Sequence, residues 1–243
     1  MTGEHEMLGF LAAAVSGHIE AIVGELSAFA AATGSLLTAV EHAGRVPSQE
    51  DLATIRGDLQ ARLQHRDQPM DGMGMATTAN YLSDSAYWLE WWRYGARGEL
   101  EFVAHSLNPN RDSFYDYPSR RWYVSAAVSG RTTVTGPYVD VGGTNSYTVT
   151  VSVPVITGRG LAAVAGADIA AARFERFLVN SGRSIRPVVL VNSDLRVIAS
   201  STIDHLPGDV LLASDTRDWC RVSALEGLVA PMETWSLFSP AKG

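Results

Sequence analysis

Residues 146–155, SYTVTVSVPV, carry the clearest structural signal in this chain of 243 residues. From Tyr147 to Val155 the odd positions hold tyrosine and valine, and the positions between them are mostly serine and threonine. This period of two, in a segment rich in β-branched residues, predicts a strand with one apolar face and one polar face.

Further strands are predicted on both sides of this segment. Residues 138–141 precede it through a turn at Gly142–Gly143, and residues 161–169 follow it through Gly158-Arg159-Gly160. A short helix is expected over residues 170–179. A second hairpin is expected where residues 188–191 and 196–199 flank Asn192-Ser193-Asp194. The order of these segments predicts consecutive antiparallel strands.

The first third of the chain has a helical pattern. Apolar residues recur every three or four positions over residues 5–40, which predicts one long amphipathic helix; they are Leu8, Leu11, Val15, Ile19, Ile22, Leu26 and Phe29. A second helix is predicted after Ser48, the expected N-cap, with Glu50 and Asp51 in its first turn. Residues 70–75, MDGMGM, are expected to form a flexible link, because glycine alternates there with flexible side chains.

Helices followed by antiparallel hairpins indicate an α+β fold. We expect three segments: a helical segment at residues 1–66, a main lobe at residues 67–182, and residues 183–243. The last segment is either a truncated second lobe or a set of strands that completes the first.

Composition narrows the possible partners and compartments. The formal net charge is −7 and the isoelectric point about 5.3, which argues against a nucleic-acid partner. The single cysteine, Cys220, excludes a disulfide framework within the chain. The apolar run from Leu8 to Val15 is shorter than the ~20 residues of a membrane span, and no signal peptide is recognised. We therefore expect a cytoplasmic protein without a membrane span.

No enzymatic motif is present. The sequence contains no His-Glu-x-x-His zinc helix, no Gly-x-Ser-x-Gly elbow and no dinucleotide-binding Gly-x-Gly-x-x-Gly after a strand. The six histidines are scattered, and the one lysine, Lys242, leaves no lysine base within the predicted lobes. We therefore expect no catalytic residue, no metal and no cofactor, and no enzymatic activity.

Polar and aromatic side chains are concentrated in the middle of the chain. An arginine can bind a carboxylate in two-point fashion, whereas carboxylates and tyrosine faces attract an ammonium group. This chemistry suits a small zwitterion, although an aromatic core with surface arginines would have the same composition. Asp168 could bind such a ligand or cap the following helix. The candidates are Tyr115, Tyr117, Arg120, Arg121, Trp122, Tyr123, Tyr138, Asp140 and Asp168.

Three segments carry a resemblance to a known family: residues 115–123 (YDYPSRRWY), 136–140 (GPYVD) and 166–169 (GADI). With the alternating strand, they resemble the Cache family of PAS-like (PDC) sensor domains over roughly residues 67–200. That family is found mostly outside the cell, in bacterial chemoreceptors and sensor kinases. The resemblance implies a long N-terminal helix, or helix pair, followed by a PAS-like antiparallel sheet with short flanking helices.

The spacing of the matched residues further resembles the double-Cache subtype that recognises amino acids. By that resemblance, Arg120 and Trp122 would hold the ligand carboxylate. Tyr123, Asp140 and Asp168 would hold the amino group, while Tyr115 and Tyr138 would shape the pocket. The implied function is a sensor domain for an amino acid.

Three alternatives stay open from the sequence. The site could bind a biogenic amine or another small cation through its acidic half. Asp140 and Asp168 could perform acid–base chemistry with Tyr123 as proton donor, or the domain could be an interaction module without a ligand. For a sensor, we expect a homodimer through the N-terminal helices and a separate, unidentified output protein.

Overall fold

The computed structural model describes residues 2–64, 70–95, 97–141, 145, 147–181, 187–212, 214, 216–225 and 234–241. Its first element is a helix of 41 residues, α1 (Thr2–His42), slightly longer than the predicted 5–40. The predicted apolar face is fully buried from Leu8 to Phe29. The β-strands cover this face, so the amphipathic pattern of α1 results from its packing against the rest of the fold.

By length and composition, α1 could cross a membrane. Over His5–His42 its most apolar stretch of 18 residues has a mean hydropathy of 1.6, and 33% of that stretch is buried within the fold. The sequence argument considered only the uninterrupted run from Leu8 to Val15. It overlooked the alanines and glycines around that run, which keep charged residues sparse over a much longer segment.

The predicted second helix is divided in two, α2 (Gln49–Ala53) and α3 (Arg56–Leu63). Ser48 is the N-cap of α2, as predicted, and forms a capping box with Asp51. The division occurs where the amide of Ile55 donates to the Leu52 carbonyl, three residues back, in place of a continuing α-helical bond.

A six-stranded antiparallel sheet forms the centre of the molecule. Its strands are β1 (Gly72–Thr77), β2 (Leu89–Tyr94), β3 (Leu100–Phe102), β4 (Thr133–Val139), β5 (Tyr147–Thr157) and β6 (Gly160–Ala170). The spatial order is β3-β2-β1-β6-β5-β4. Both predicted hairpins around residues 146–155 are confirmed, because β5 pairs with β4 on one side and with β6 on the other. The predicted turn at Gly142–Gly143 lies outside the described residues.

The prediction of a flexible link at residues 70–75 is wrong. This segment contains most of β1, a strand at the centre of the sheet, paired with β2 and β6 and fully buried. Its glycines are required by packing. A Cβ on Gly74 would lie 2.2 Å from the Glu90 carbonyl oxygen and 2.5 Å from Cε3 of Trp91. The small residues therefore make room for an aromatic ring from the neighbouring strand.

The two faces of the sheet are covered by different helices. Val149 and Val151 belong to the core cluster that contains α1, whereas Trp91 and Val164 pack with residues of α4 (Arg121–Ser129). Alternation along the strands therefore separates an apolar face under α1 from a face of mixed polarity under α4. The predicted helix after β6 is observed as α5 (Ala171–Ser181).

The remaining residues form a second antiparallel sheet. Its strands are β7 (Val189–Val191), β8 (Val197–Ser200), β9 (Trp219–Leu225) and β10 (Trp235–Pro240), in the order β8-β7-β10-β9. The predicted β7–β8 hairpin is confirmed. Helix α1 covers β9 and α5 covers β8. The fold is therefore α+β, as predicted, whereas the predicted segment boundaries after residues 66 and 182 fall outside the described residues.

Candidate functional site

The candidate residues come from three parts of the first sheet and its covering helix. Tyr115 precedes a 3-10 turn at Tyr117–Ser119, and Arg120 is the N-cap of α4. Tyr138 lies on β4, and Asp140 directly follows that strand. Asp168 lies near the end of β6. These elements meet over the face of the sheet that α4 covers.

A chain of hydrogen bonds links β4, β5 and β6. The Thr150 hydroxyl donates to Asp168 Oδ1 over 2.6 Å, and Tyr138 Oη lies 2.6 Å from Thr150 Oγ1. Because the single hydroxyl proton of Thr150 is directed to Asp168, Tyr138 must be the donor in the second bond. Each member of the chain is thus oriented toward the carboxylate of Asp168.

Asp168 is a buried acid. Its side chain is 7% exposed, and burial raises its pKa to about 8, with a further contribution from the charge of Asp140. No cationic side chain pairs with it within the part of the chain that the structure describes. An ionised carboxylate in such a place is costly unless a cation meets it, so the site favours a positively charged group beside Asp168.

Asp140 is the second acid of the site. It is 6% exposed and accepts a hydrogen bond of 2.8 Å from the Tyr115 hydroxyl. Burial, together with the neighbouring charge of Asp140, raises the pKa of Tyr115. Tyr115 therefore stays neutral and remains a hydrogen-bond donor at physiological pH.

Arg120 stands at the outer side of this group. Its guanidinium lies 5.0 Å from the ring centroid of Tyr115, and Nη2 donates to the Val141 carbonyl over 3.1 Å. Its buried Nε–H has no hydrogen-bond partner among the described residues. A planar guanidinium with an unused donor is suited to a carboxylate.

Two cavities adjoin these side chains. An outer cavity of about 310 Å³ is bordered by Arg120, by β4 and by the β7–β8 turn. An inner cavity of about 10 Å³, close to the space that one water molecule requires, has Asp168 in its wall. Trp122, Tyr138 and Asp140 border both cavities, so the two form one site with a cationic outer part and an acidic inner part.

Tyr123 is not brought into this site. Its hydroxyl lies 3.5 Å from the Thr77 carbonyl, and its ring packs edge-on against Tyr117 at 5.4 Å. Tyr123 borders neither cavity. Trp122, one residue earlier on α4, packs against Trp91 at 5.7 Å and does border both. Successive residues of a helix point about 100° apart, which separates these two neighbours.

Sequence reasoning overlooked two polar residues of the site. Thr150 lies on the polar side of the alternating strand, and its position opposite Asp168 follows from the β5–β6 register. His105 stacks on Tyr115 with centroids 4.6 Å apart, in an irregular segment where only its residue type could have marked it. No group of three metal-ligating side chains occurs among the described residues.

Comparison with known proteins gives the family of the central segment. Residues 93–176 match the model of the methyl-accepting chemotaxis protein-like first PDC sensor domain. These residues span Tyr115, Arg120, Trp122, Tyr138, Asp140 and Asp168. No curated protein matches the chain significantly.

Solved structures with the same fold cover nearly the whole chain. One is methyl-accepting chemotaxis protein X, with 20% identity, a TM-score of 0.67 and coverage of 96% of each chain. A second is the ligand-binding domain of the amino-acid chemoreceptor PctB of Pseudomonas aeruginosa in complex with L-Arg. Its identity is 16% and its TM-score 0.59, with 97% of this chain and 93% of that chain covered. The periplasmic sensory domain of Tlp1 from Campylobacter jejuni has 9% identity and a TM-score of 0.67, with 98% and 93% covered.

The prediction of a cytoplasmic protein is wrong. The fold is shared with domains that lie outside the cytoplasm, among them the periplasmic sensory domain of the chemoreceptor Tlp1. Moreover, α1 has the length and composition of a membrane span. The sequence prediction was based on two absences, that of a membrane span and that of a signal peptide. Because α1 is a candidate membrane span, the first absence no longer supports it.

Residues 93–176 therefore match a PDC sensor-domain family, and the chain has the α+β fold of solved chemoreceptor sensor domains.

Proposed function

We propose that this domain binds an amino acid between α4 and the first sheet and acts as a sensor without chemical turnover. The observation that carries the proposal is Asp168, a buried acid without a cationic partner among the described residues, at the opposite end of the site from Arg120. The acidic inner part and the cationic outer part match the ammonium and carboxylate groups of an amino acid.

In this proposal the ligand carboxylate lies in the outer cavity. Arg120 offers the Nε–H that has no partner in the described structure. The indole N–H of Trp122, which interacts with Tyr115, adds a second donor if it turns to the ligand. The outer cavity, at about 310 Å³, falls at the lower end of the range usual for small-molecule sites.

The ligand ammonium group lies toward the inner cavity. Asp140 and Asp168 supply the negative charge, and Tyr115 and Tyr138 lie in the wall of the inner cavity. Because the inner cavity admits only a water-sized group, the ammonium group stays at its outer side, beside Asp140, which borders both cavities. Tyr123 borders neither cavity, and we assign it a packing role in place of the expected ammonium contact.

The solved relatives support an amino acid as the ligand class. PctB, which has this fold, is described as an amino-acid chemoreceptor and was solved with L-Arg. The identity of 16% supports the fold alone, so the ligand class proposed here depends on the side chains of this site.

A small amine is the second candidate, because Asp168 favours any cation. Arg120 already contacts the Tyr115 ring and the Val141 carbonyl. These contacts reduce the free-energy cost of leaving its charge without a carboxylate partner when an amine is bound. Arg120 would then have a structural role.

We also propose that the signal passes to a separate output protein and that α1 forms a homodimer contact. The exposed side of α1 carries Phe10, which is 64% exposed. Ligand binding would act by shifting the relative stability of two arrangements of the domain.

A thermal-shift panel on the purified domain tests the ligand class. The panel contains the twenty L-amino acids, their D-forms, common amines, purines and carboxylates. A ligand at a hundred times its Kd stabilises the folded state by about 2.7 kcal/mol, which raises the melting temperature measurably. We expect one or a few L-amino acids to stabilise the domain. Stabilisation by amines alone would favour the second candidate, and no stabilisation by either class would contradict the proposal.

A further inference from the structure

The floor of the inner cavity is the indole ring of Trp91, which lies flat on the sheet. Three glycines of β1 and β6 make room for it: an added Cβ on Gly72, Gly74 or Gly166 would lie 3.2, 2.5 and 2.8 Å, respectively, from ring atoms of Trp91. The nitrogen Nε1 lies nearest to Gly72, which pairs directly with Asp168 in the β1–β6 register. The indole N–H is therefore at the end of the ring closest to the acidic part of the site.

This N–H has no hydrogen-bond partner among the described residues, although Trp91 is only 5% exposed. The imidazole of His105, in the wall of the same cavity, has a hydrogen bond to the backbone of Val103, yet its Nδ1 atom is buried without a partner among the described residues. Buried polar groups in folded proteins are almost always paired. Two unpaired groups in one cavity therefore point to a partner other than the described residues.

The cavity limits what this partner can be. Its volume of about 10 Å³ accepts a single polar atom, so a group that occupies it would have to serve both Trp91 and His105. The indole N–H is only a donor, whereas a neutral imidazole has one donor and one acceptor nitrogen. Burial lowers the pKa of His105, which keeps the ring neutral. A hydroxyl group meets both requirements, since its oxygen accepts from Trp91 and its proton can be donated to His105.

We propose that Trp91 Nε1 and His105 Nδ1 form a side-chain subsite that selects amino acids with a hydroxyl-bearing side chain. This inference depends on the proposed amino-acid function and adds a specificity to it. A ligand with a methyl group in that place would leave both nitrogens buried and unpaired. Such a loss weakens binding by about ten- to a hundredfold.

The neighbouring residue Trp92 provides a matched control. Its indole N–H donates to Glu90 Oε1 over 2.9 Å, and its ring packs with the core on the α1 side of the sheet. Trp92 therefore has a satisfied N–H and no place in the cavity wall. W91F and W92F each remove one indole N–H and retain an aromatic ring.

The experiment is isothermal titration of L-threonine against L-valine, which have nearly the same shape, and of L-serine against L-alanine. For the wild type we expect the hydroxyl-bearing member of each pair to bind about tenfold or more tightly. In W91F the preference should fall to within about twofold, whereas W92F should retain it. H105L, which also removes a polar group from the cavity, should reduce the preference as W91F does.

The outcomes separate the two proposals. Equal affinity of the wild type for both members of each pair would contradict the hydroxyl subsite but not the amino-acid function. The partner of both nitrogens would then be a trapped water molecule. Absence of binding by every L-amino acid would overturn the proposed function and the subsite together. Because the ratio of the two affinities in the wild type is decisive by itself, the test does not depend on whether any of the three variants folds.

Discussion

Thr150 and Asp168 face each other across β5 and β6, and the Thr150 hydroxyl donates to Asp168 Oδ1 over 2.6 Å. This bond favours the ionised carboxylate, but burial acts in the opposite direction and prevails, raising the pKa of Asp168 to about 8. The empty site therefore contains a largely protonated acid at pH 7. A ligand ammonium group requires the ionised form.

The first prediction concerns ligand affinity and pH. Binding of an ammonium group should release the proton of Asp168, so affinity should rise as pH increases from 6 to 8, by up to about tenfold per pH unit. Titration calorimetry at pH 6, 7 and 8 measures this slope. In D168N the slope should vanish and binding should weaken. An affinity independent of pH in the wild type would contradict the placement of the ammonium group.

The second prediction concerns the stability of the ligand-free domain. The folded state holds the Asp168 proton up to about pH 8, whereas the ordinary pKa of this group is 3.8. Its contribution to stability is thus complete below about pH 4 and is lost as pH rises toward 8. Asparagine has no such dependence. The melting temperature of D168N relative to that of the wild type should therefore increase between pH 5 and pH 8, and an unchanged difference would show that Asp168 is ionised in the empty site.

The third prediction tests β1 as a central strand. In G74A the new Cβ would lie 2.2 Å from the backbone oxygen of Glu90, so the strand pair must separate locally. We expect the melting temperature to fall by at least about 5 °C. G17A is the control, because Gly17 lies in α1 with no atom within 4 Å of an added Cβ. If G74A were as stable as the wild type, the packing of β1 against β2 would be contradicted.

The fourth prediction concerns the contact between the two sheets. Asn192 in the β7–β8 turn is buried, and its Nδ2 donates to the Gly136 carbonyl on β4 over 2.8 Å. Gly136 lies two residues before Tyr138. N192D keeps the acceptor that holds the turn but loses this donor, so we expect a loss of about 1–3 kcal/mol in the free energy of unfolding and weaker ligand binding.

Denaturant unfolding and ligand titration measure these two effects, with N180D on the exposed end of α5 as the control. Unchanged ligand affinity in a destabilised N192D would show that the second sheet stabilises the fold without positioning β4.

Local sequence determined some elements and not others. The alternating strand β5 and the capped start of α2 were predictable because their signals are local. The strand β1 was not, because Gly72 and Gly74 have low strand propensity and are placed by the Trp91 ring from β2. Tertiary packing here prevails over propensity.

The candidate site was predictable to a similar degree. The spacing from Tyr115 to Asp168 identified six residues that meet around the two cavities. The seventh predicted residue, Tyr123, follows Trp122 on α4, but its side chain projects away from the cavities. The spacing of the residues in the sequence does not reveal this direction. Thr150 and His105 depend on strand register and on an irregular segment, so their places required the three-dimensional structure.

The most direct test of the account compares an amino acid with the amine obtained by removing its carboxylate. The strongest L-amino acid from the thermal-shift panel and its decarboxylated amine are titrated into the wild type, R120A and R131A, in which Arg131 is an exposed control. We predict that the wild type and R131A bind the amino acid at least about a hundredfold more tightly than the amine, and that R120A loses this difference. Equal binding of both ligands by the wild type, or an undiminished preference in R120A, would contradict the assignment of Arg120 to the ligand carboxylate.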